Sequence, residues 1–565
     1  MMPARLPGSR RIAALLATAF SCAIVGGALA AQAPEPEQYK PRGPAPDPAI
    51  PGIAELEARD TKIGRITIVV EDIFDRDDPR ENHGLFLLAD RLHLNSKEST
   101  IRAQLVFREG ERLRASALQE TERILRTKRY LYDAWIRPVA YDGQRADIEV
   151  RVRDVWTLNP GIQFGRRGGK NSSGFKLQDE NFLGRGKNLQ VSRKNDVDRT
   201  TTAVEYEDPN VLGTWWQFFG EYADQSDGKT KRLQFGRPFY SLDARWSFGT
   251  SALDSERTES RYDLGQIVDQ YAHRQESYAI SGGWSPPAAG AWTRRYLVGG
   301  RYERDRFERL PLAGVTPAVL PDGRRFSYPF VAFELIEDAF DKTRNQDQLA
   351  RTEDVYYGVA LRAEAGYMSN SFGADRSAAV LGAAIRTGHR ITDRQSLFLD
   401  AGASGRLESG ATRNLLGYAN ARYYWRWRPR RVLYAALETT ATRALDADSQ
   451  LLLGGEDGLR GYPLRYQGGT SRSLFTLEQR IYTNWFPFRL FNVGGAVFFD
   501  AGRTWGRGPV NTASLGLLKD VGLGLRFGNS RSGLGNVVHV DFSYALDGDP
   551  TIKKFQVTVE TKRSF

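Results

Sequence analysis

Two short segments near the C-terminal end carry the charged residues whose types and spacing could act together. One is Gly458-Leu459-Arg460-Gly461-Tyr462, a Gly-rich loop between ribbons of alternating apolar and polar residues. The other is Phe498-Phe499-Asp500-Ala501-Gly502, which lies within a ribbon and places Asp500 on the polar parity. A guanidinium and a carboxylate can form a bidentate, charge-assisted hydrogen bond. If the ribbon is the wall of a barrel, its polar parity faces the lumen. The chemistry expected is therefore a fastening, in which a loop is tucked into a lumen and pinned there.

Residue patterns for bond-making chemistry are missing. The chain has no G-x-S-x-G elbow, no phosphate-binding P-loop and no H-E-x-x-H pair, so it does not read as an enzyme. The histidines, at His83, His93, His273, His389 and His539, are scattered and read as ordinary surface or lumen residues. Two adjacent acidic pairs, Asp179-Glu180 and Glu353-Asp354, cannot converge on one substrate if they lie on strands, because neighbouring side chains point to opposite faces. They are expected at strand ends, in contact with water. The single cysteine, Cys22, lies in the N-terminal apolar run, where Ala19-Phe20-Ser21 is a poor flank for lipid attachment. A chain cleaved after Ala30 would hold no cysteine, hence no disulfide, thiol nucleophile or zinc-thiolate site. No cofactor and no metal is expected.

Arg10 and Arg11 precede an apolar run from Ile12 to Leu29, and the small residues Ala28, Ala30 and Ala31 suit cleavage after Ala30, so residues 1–30 read as a secretory signal. The formal charge is +11; without the three arginines of that signal the 79 basic residues become 76 against 68 acidic ones, an excess of +8. The excess is spread along the chain and forms no basic block, which argues against a nucleic-acid partner. Mean hydropathy is −0.47, and beyond the signal no run approaches the ~18–20 apolar residues of a membrane helix. An outer-membrane barrel has the same profile, since each strand gives only alternate residues to lipid.

These residues must be positioned by two kinds of sequence. Seven prolines between Pro34 and Pro51 mark residues 31–61 as an extended linker. Residues 62–156 read as a small α+β domain of order β-α-α-β-β, with residues 75–94 inserted after the first strand. Ile66, Ile68 and Val70 alternate, Asn95 with Glu98 and Ser116 with Gln119 make capping boxes, Asp142-Gly143 makes a hairpin turn, and Ile148, Val150 and Val152 alternate again. From residue 157 to 565 helical periodicity nearly disappears, and alternating stretches recur between Gly, Asp, Asn and Pro. Aromatic segments such as Tyr423-Tyr424-Trp425-Arg426-Trp427 suit interfacial girdles. At roughly 25 residues per strand with its connection, the region holds about 16 strands, although a direct tally runs nearer twenty. Closure into a barrel satisfies every backbone group in lipid.

With these segments in place the chain resembles the BamA/TamA superfamily of outer-membrane proteins, also called the bacterial surface antigen family. The resemblance covers roughly residues 62–565. The α+β domain looks like one POTRA unit. Asn181-Phe182-Leu183-Gly184-Arg185-Gly186 with Tyr206-Glu207-Asp208-Pro209 looks like the first strands. Leu459-Arg460-Gly461-Tyr462 looks like the signature of the sixth extracellular loop, and Phe498-Phe499-Asp500-Ala501-Gly502 like its partner strand motif. Five strand candidates follow the loop, around 473–482, 493–502, 519–527, 537–545 and 554–565, as in the family's 16-stranded barrel. By resemblance the loop folds into the lumen and Arg460 meets Asp500 and Glu478; the parity of Glu478 in Leu477-Glu478-Gln479-Arg480 agrees. The last strand ends in Phe565. One POTRA-like unit where assembly factors have several, and a longer region before Arg460, set this chain apart.

The resemblance implies an all-β transmembrane antiparallel barrel in the outer membrane of a Gram-negative bacterium, with its N-terminal domain in the periplasm. It implies a role in inserting, assembling or translocating proteins, with outer-membrane lipid, unfolded outer-membrane or secreted clients and accessory periplasmic proteins as partners. The alternatives are a passive pore, a lipid conduit or a secretion translocator sharing the fold.

Overall fold

The computed structural model describes residues 41–562 apart from 43–44, 46, 83, 311–318, 509, 511–513 and 533–536. The expected secretory signal, the first part of the Pro-rich stretch, His83 and Phe565 lie outside the described residues.

The N-terminal unit comprises α1 (Ile53–Ala58), β1 (Lys62–Glu71), α2 (Gly84–Leu92), α3 (Glu98–Arg102), α4 (Ala115–Arg126), β2 (Leu131–Tyr141) and β3 (Arg145–Asp154). β3 lies between β1, its parallel neighbour, and β2, its antiparallel one. Ile66, Ile148, Val150 and Val152 of this sheet pack against Leu118 and Leu125, two turns apart on α4. Relative to the expected β-α-α-β-β order, α1 is added in front and α2 lies in the 75–94 insertion. The capping boxes do not form. α3 is capped at Lys97 and α4 at Arg114, neither with a side-chain bond. Asn95 instead gives its amide to Asp72 at 3.0 Å, and the Lys97 N–H reaches Gly184 O in a barrel turn at 2.9 Å. Tertiary contacts, rather than the local pattern, set where α3 begins.

The barrel opens with six short strands, β4 (Leu158–Arg167), β5 (Lys170–Asp179), β6 (Asn188–Asn195), β7 (Thr200–Asp208), β8 (Gln217–Gln225) and β9 (Gly228–Arg237). Longer ones follow: β10 (Trp246–Asp263), β11 (Gln266–Trp284), β12 (Trp292–Arg309) and β13 (Arg324–Glu337). A separate hairpin, β14 (Phe340–Arg344) and β15 (Thr352–Tyr356), interrupts the wall. The wall resumes with β16 (Val359–Met368), β17 (Ala378–Thr392), β18 (Gln395–Glu408), β19 (Ala411–Arg428) and β20 (Arg431–Arg443). A long loop holds the short pair β21 (Leu451–Leu453) and β22 (Gln467–Gly469). The last five wall strands are β23 (Ser471–Tyr482), β24 (Phe491–Trp505), β25 (Leu518–Asn529), β26 (Val537–Ala545) and β27 (Phe555–Lys562).

The closed antiparallel barrel has 20 strands, which corrects the expectation of about 16. The spacing rule fails because residues 158–237 alone hold six strands joined by connections of two to eight residues. Gly168 and Gly169, at φ +51° and +80°, make the two-residue β4–β5 turn that L side chains resist. The extra strands precede Arg460, so its loop is the eighth at the distal mouth instead of the sixth, while five strands still follow it.

Side-chain polarity is inverted relative to a water-soluble core. On β25 and β26, Asp520, Arg526, His539, Asp541 and Ser543 are buried inside, while Leu523, Leu525 and Phe542 are exposed outside. Ile162, Ile280, Val298 and Val331 continue the exposed apolar face around the wall. Such a band suits lipid and has no reason to form in water. The aromatic segment on β19 is split by the same alternation. Trp425 faces out, but Tyr424 is buried in the lumen, which corrects its reading as wholly interfacial.

The N-terminal unit sits across one mouth, here the proximal one. Arg531 of the β25–β26 turn donates to Ile73 O at 2.6 Å, Arg489 of the β23–β24 turn to Asp78 at 3.0 Å, and Leu242 N of the β9–β10 turn to Glu120 at 2.8 Å. The acidic pairs are drawn into this junction. Glu180 is buried 3.7 Å from Arg129, and Asp354 bonds Arg126. Neither stands in open water as expected, because the domain covers the strand ends.

Candidate functional site: the lumen loop

The loop spanning residues 444–470 leaves the distal mouth and turns back into the barrel. Its tip is a tight fold in which Gly455 N donates to Pro463 O at 2.9 Å and Tyr462 N to Leu459 O at 3.0 Å. Gly458, at φ +104°, makes the turn that a side chain would strain.

Arg460 is only 6% exposed. Its Nε and Nη2 donate to the two carboxylate oxygens of Asp500 on β24, at 2.8 and 3.0 Å. Its Nη1 donates to Glu478 Oε2 on β23 at 3.0 Å and lies 3.6 Å from Asp541 on β26. The guanidinium carbon stands 3.4 Å from the ring centroid of Phe498, a cation–π contact on the face left free by the hydrogen bonds. The Arg460 carbonyl accepts from Ser543 Oγ at 2.8 Å, and Gly461 N donates to Asp520 at 3.1 Å. Tyr462 donates its hydroxyl to Lys519 O at 2.8 Å and accepts from Lys519 N at 3.0 Å. One tip thus grips four consecutive strands.

Glycines let it come this close. A Cβ on Gly461 would stand 2.7 Å from Asp520 Cβ and 3.1 Å from Ala545 N. A Cβ on Gly502 would stand 3.0 Å from Leu453 and 3.3 Å from the buried Leu459.

The structure brings together Leu459, Arg460, Gly461, Tyr462, Glu478, Phe498, Asp500 and Gly502. Phe499 takes the opposite parity and does not join them, and Phe565 lies outside the described residues. Sequence reasoning missed how the charges are shared. Arg480 donates to Glu478 Oε1 at 3.0 Å, Arg526 to Asp541 at 2.6 Å, and Thr476 to Asp500 at 2.8 Å. It also missed the ring of Phe498 beneath the guanidinium. Strand parity was the available signal, since each of these residues lies on the same inward face as its neighbours in the cluster.

Buried ion pairs repay desolvation only when fully bonded, so a cluster like this selects one loop position more than it adds stability. Among the described residues, His539, Asp541 and Glu560 also approach metal-ligand spacing, with ligand atoms within 4.8 Å. Asp541 is already held by Arg526, and Glu560 by Arg167 and Lys562, so cations of the chain itself occupy these carboxylates. The arrangement can hold a loop in a lumen and, if released, let it go.

No family model and no curated protein matches the sequence. Several solved structures share likeness with the chain. BamA from Haemophilus ducreyi lacking POTRA domains 1–3 is similar at 14% identity with a TM-score of 0.36, over 89% of this chain and 85% of that one. CdiB from Acinetobacter baumannii is similar at 12% identity and a TM-score of 0.44, over 89% and 74%. CdiB from Escherichia coli is similar at 14% identity and a TM-score of 0.43, over 89% and 76%. At these values the functional reading stands on the residues of this chain.

Proposed function

We propose that this chain is an outer-membrane barrel that assists the insertion, assembly or translocation of proteins. Its N-terminal unit serves as a POTRA-type domain in the periplasm, and the lumen loop acts as a latch reached from the outer side. The observation that carries the reading is the seam. Among the described residues β27 and β4 pair at a single position, Val559 with Arg166, whereas the adjoining pairs β4–β5 and β26–β27 run in register along most of their length. β4 contains Pro160, Gly161 and Gly165, which weaken strand pairing. A cleft of about 870 Å³ lies along the seam, lined by Ile162, Phe164, Phe527 and Val559. A closed wall this sparsely paired can part there and offer backbone to a client strand, which adds by β-augmentation.

A passive pore or lipid conduit would need only a clear lumen, and the pinned loop works against that. Clients are unfolded outer-membrane or secreted chains, with accessory periplasmic proteins docking on the N-terminal unit. Depleting the protein and comparing outer-membrane proteomes tests this. Loss of specific barrel or surface proteins is expected. If every other outer-membrane protein and surface lipid is unchanged, the insertase reading fails.

A further inference from the structure

The β14–β15 hairpin belongs to neither the wall nor the N-terminal unit, yet it is bonded to both. Its tip lies in the lumen. Leu349 packs in one cluster with Tyr424 of β19, Val432 of β20, Tyr482 of β23, Ala496 of β24 and Val537 of β26. A side chain can meet inward residues of five wall strands only from inside the barrel. A Cβ on Gly528 of β25 would stand 2.9 Å from Leu349 Cβ, so the glycine makes room for the tip. Polar contacts fix it there. Gln346 O accepts from Arg480 Nη1 at 2.8 Å and from the Tyr482 hydroxyl at 2.9 Å. Asp347 accepts from the Tyr424 hydroxyl at 2.9 Å and from Arg480 at 3.1 Å.

The outer side of the hairpin, from Ala350 at the end of the tip loop along β15, together with β14, holds the N-terminal unit instead. Arg126 of α4 makes two bonds to Asp354, each 2.7 Å. Thr352 Oγ1 donates to Asp133 at 2.6 Å, Arg351 to Leu131 O at 2.6 Å, and Tyr132 to Ala350 O. Lys342 pairs with Glu122, and Arg123 lies 3.8 Å over the ring of Phe340.

One carboxylate joins this assembly to the loop. Arg480, which holds the hairpin tip, donates its Nε to Glu478 Oε1 at 3.0 Å. The other oxygen of Glu478 accepts from Arg460 of the loop at 3.0 Å. From Arg126 through Asp354, the hairpin, Asp347, Arg480 and Glu478 to Arg460, the contacts form a continuous chain from one mouth toward the other.

We propose that the hairpin is a stopper for the proximal mouth, and that its seating couples the position of the N-terminal unit to the hold on the distal loop. When the unit moves off the mouth it draws the hairpin with it through Asp354 and Thr352. Asp347 leaves Arg480, the charge of Arg480 falls wholly on Glu478, and Arg460 must share that carboxylate. The loop is then held less firmly, and both mouths loosen together. The device does not depend on which cargo passes.

The test uses the full-length protein in liposomes, with Cys22→Ser to leave no native thiol and Leu464→Cys as a reporter, a half-buried loop position beside the Gly168 turn. A membrane-impermeant maleimide is added from the distal side. Asp354→Asn, at the other end of the chain of contacts, is expected to speed labelling several-fold. In an Asp347→Asn background, where the ion pair between the tip and Arg480 is already lost, it should add little further. If Asp354→Asn does not assemble, Thr352→Ala removes one hydroxyl bond and is read the same way. Replacing residues 346–349 with Gly-Ser should raise both single-channel conductance and labelling. Unchanged labelling with Asp354→Asn or Thr352→Ala, or equal increments in both backgrounds, overturns the coupling. Higher conductance with unchanged labelling on tip replacement also overturns it, leaving a bare plug.

Discussion

Arg460 and Asp500, 40 residues apart in sequence, make a two-bond pair inside the barrel, with Nε and Nη2 reaching the two carboxylate oxygens at 2.8 and 3.0 Å. The pair is planar recognition that a lysine cannot reproduce. Its burial means that removing one partner leaves the other charged and short of its two strongest bonds.

Arg460→Ala and Asp500→Ala are each expected to cost about 3–5 kcal/mol of loop and barrel stability. Heat-modifiable gel migration of the folded barrel reads this directly. The double variant should lose much less than the sum, because the second change removes a charge that the first left unpaired. Arg460→Lys should rescue only in part. Simple additivity would mean that the two side chains do not act on each other.

Gly461→Ala leaves every charge in place and removes only space, since its Cβ would fall 2.7 Å from Asp520 Cβ. The loop is expected to withdraw from the lumen and become accessible to protease from the distal side. A cleavage pattern identical to that of the unaltered protein would show that the close approach is dispensable.

The outer face responds to charge by depth. Leu523→Arg on β25 points toward lipid and should cost roughly 2–4 kcal/mol if it lies near the bilayer midplane. Ser192→Arg on β6, a half-buried position opposite the buried Ala203, points inward and should cost less. Reversible folding into lipid vesicles under urea compares the two, and equal costs would contradict the inside-out assignment.

Locking the seam separates lateral opening from lumen transport. Arg166→Cys with Val559→Cys joins the register pair of β4 and β27 among the described residues. Oxidation should abolish client insertion, and reduction should restore it. Full activity of the oxidised form would exclude opening at this seam.

The junction at the proximal mouth should respond to pH. Burial, with Asp347 alongside, pushes the Glu353 carboxyl up to about 7, and burial pushes Glu180 up to about 7 as well. Glu353 accepts from the Gln346 and Asp347 N–H groups, at 2.8 and 2.9 Å, so it shapes the hairpin tip. Both acids are raised, so their contribution to docking is fully present below the ordinary carboxylate range near 4.5 and is lost as pH rises through about 7. Spin labels on the hairpin and on β3 should report a tighter distance distribution at pH 5 than at pH 8. Glu353→Gln should flatten that dependence, and an unchanged profile in this variant would remove Glu353 as its source.

The sequence made alternation legible, because a strand wall between lipid and lumen demands opposite polarity on its two faces. From alternation came the inward parity of Glu478 and Asp500. The five strands after the loop, placed by candidate ribbons, differ from their observed bounds by only a few residues. The strand count was less legible, since turns as short as Gly168-Gly169 leave little punctuation between ribbons. Capping patterns at Asn95 and Ser116 misled for a different reason: the groups they would satisfy have partners in other elements.

Sequence alone determined which residues face the lumen, because side-chain direction along a strand is a local property with a period of two. Only the tertiary structure decided which lumen residues meet. Arg480 divides its guanidinium between Glu478 on its own strand and Asp347 on a hairpin 133 residues away, and Phe498 lies beneath Arg460. Those distances depend on barrel closure, strand number and the return of the loop, all of which are global properties that no spacing of residues encodes.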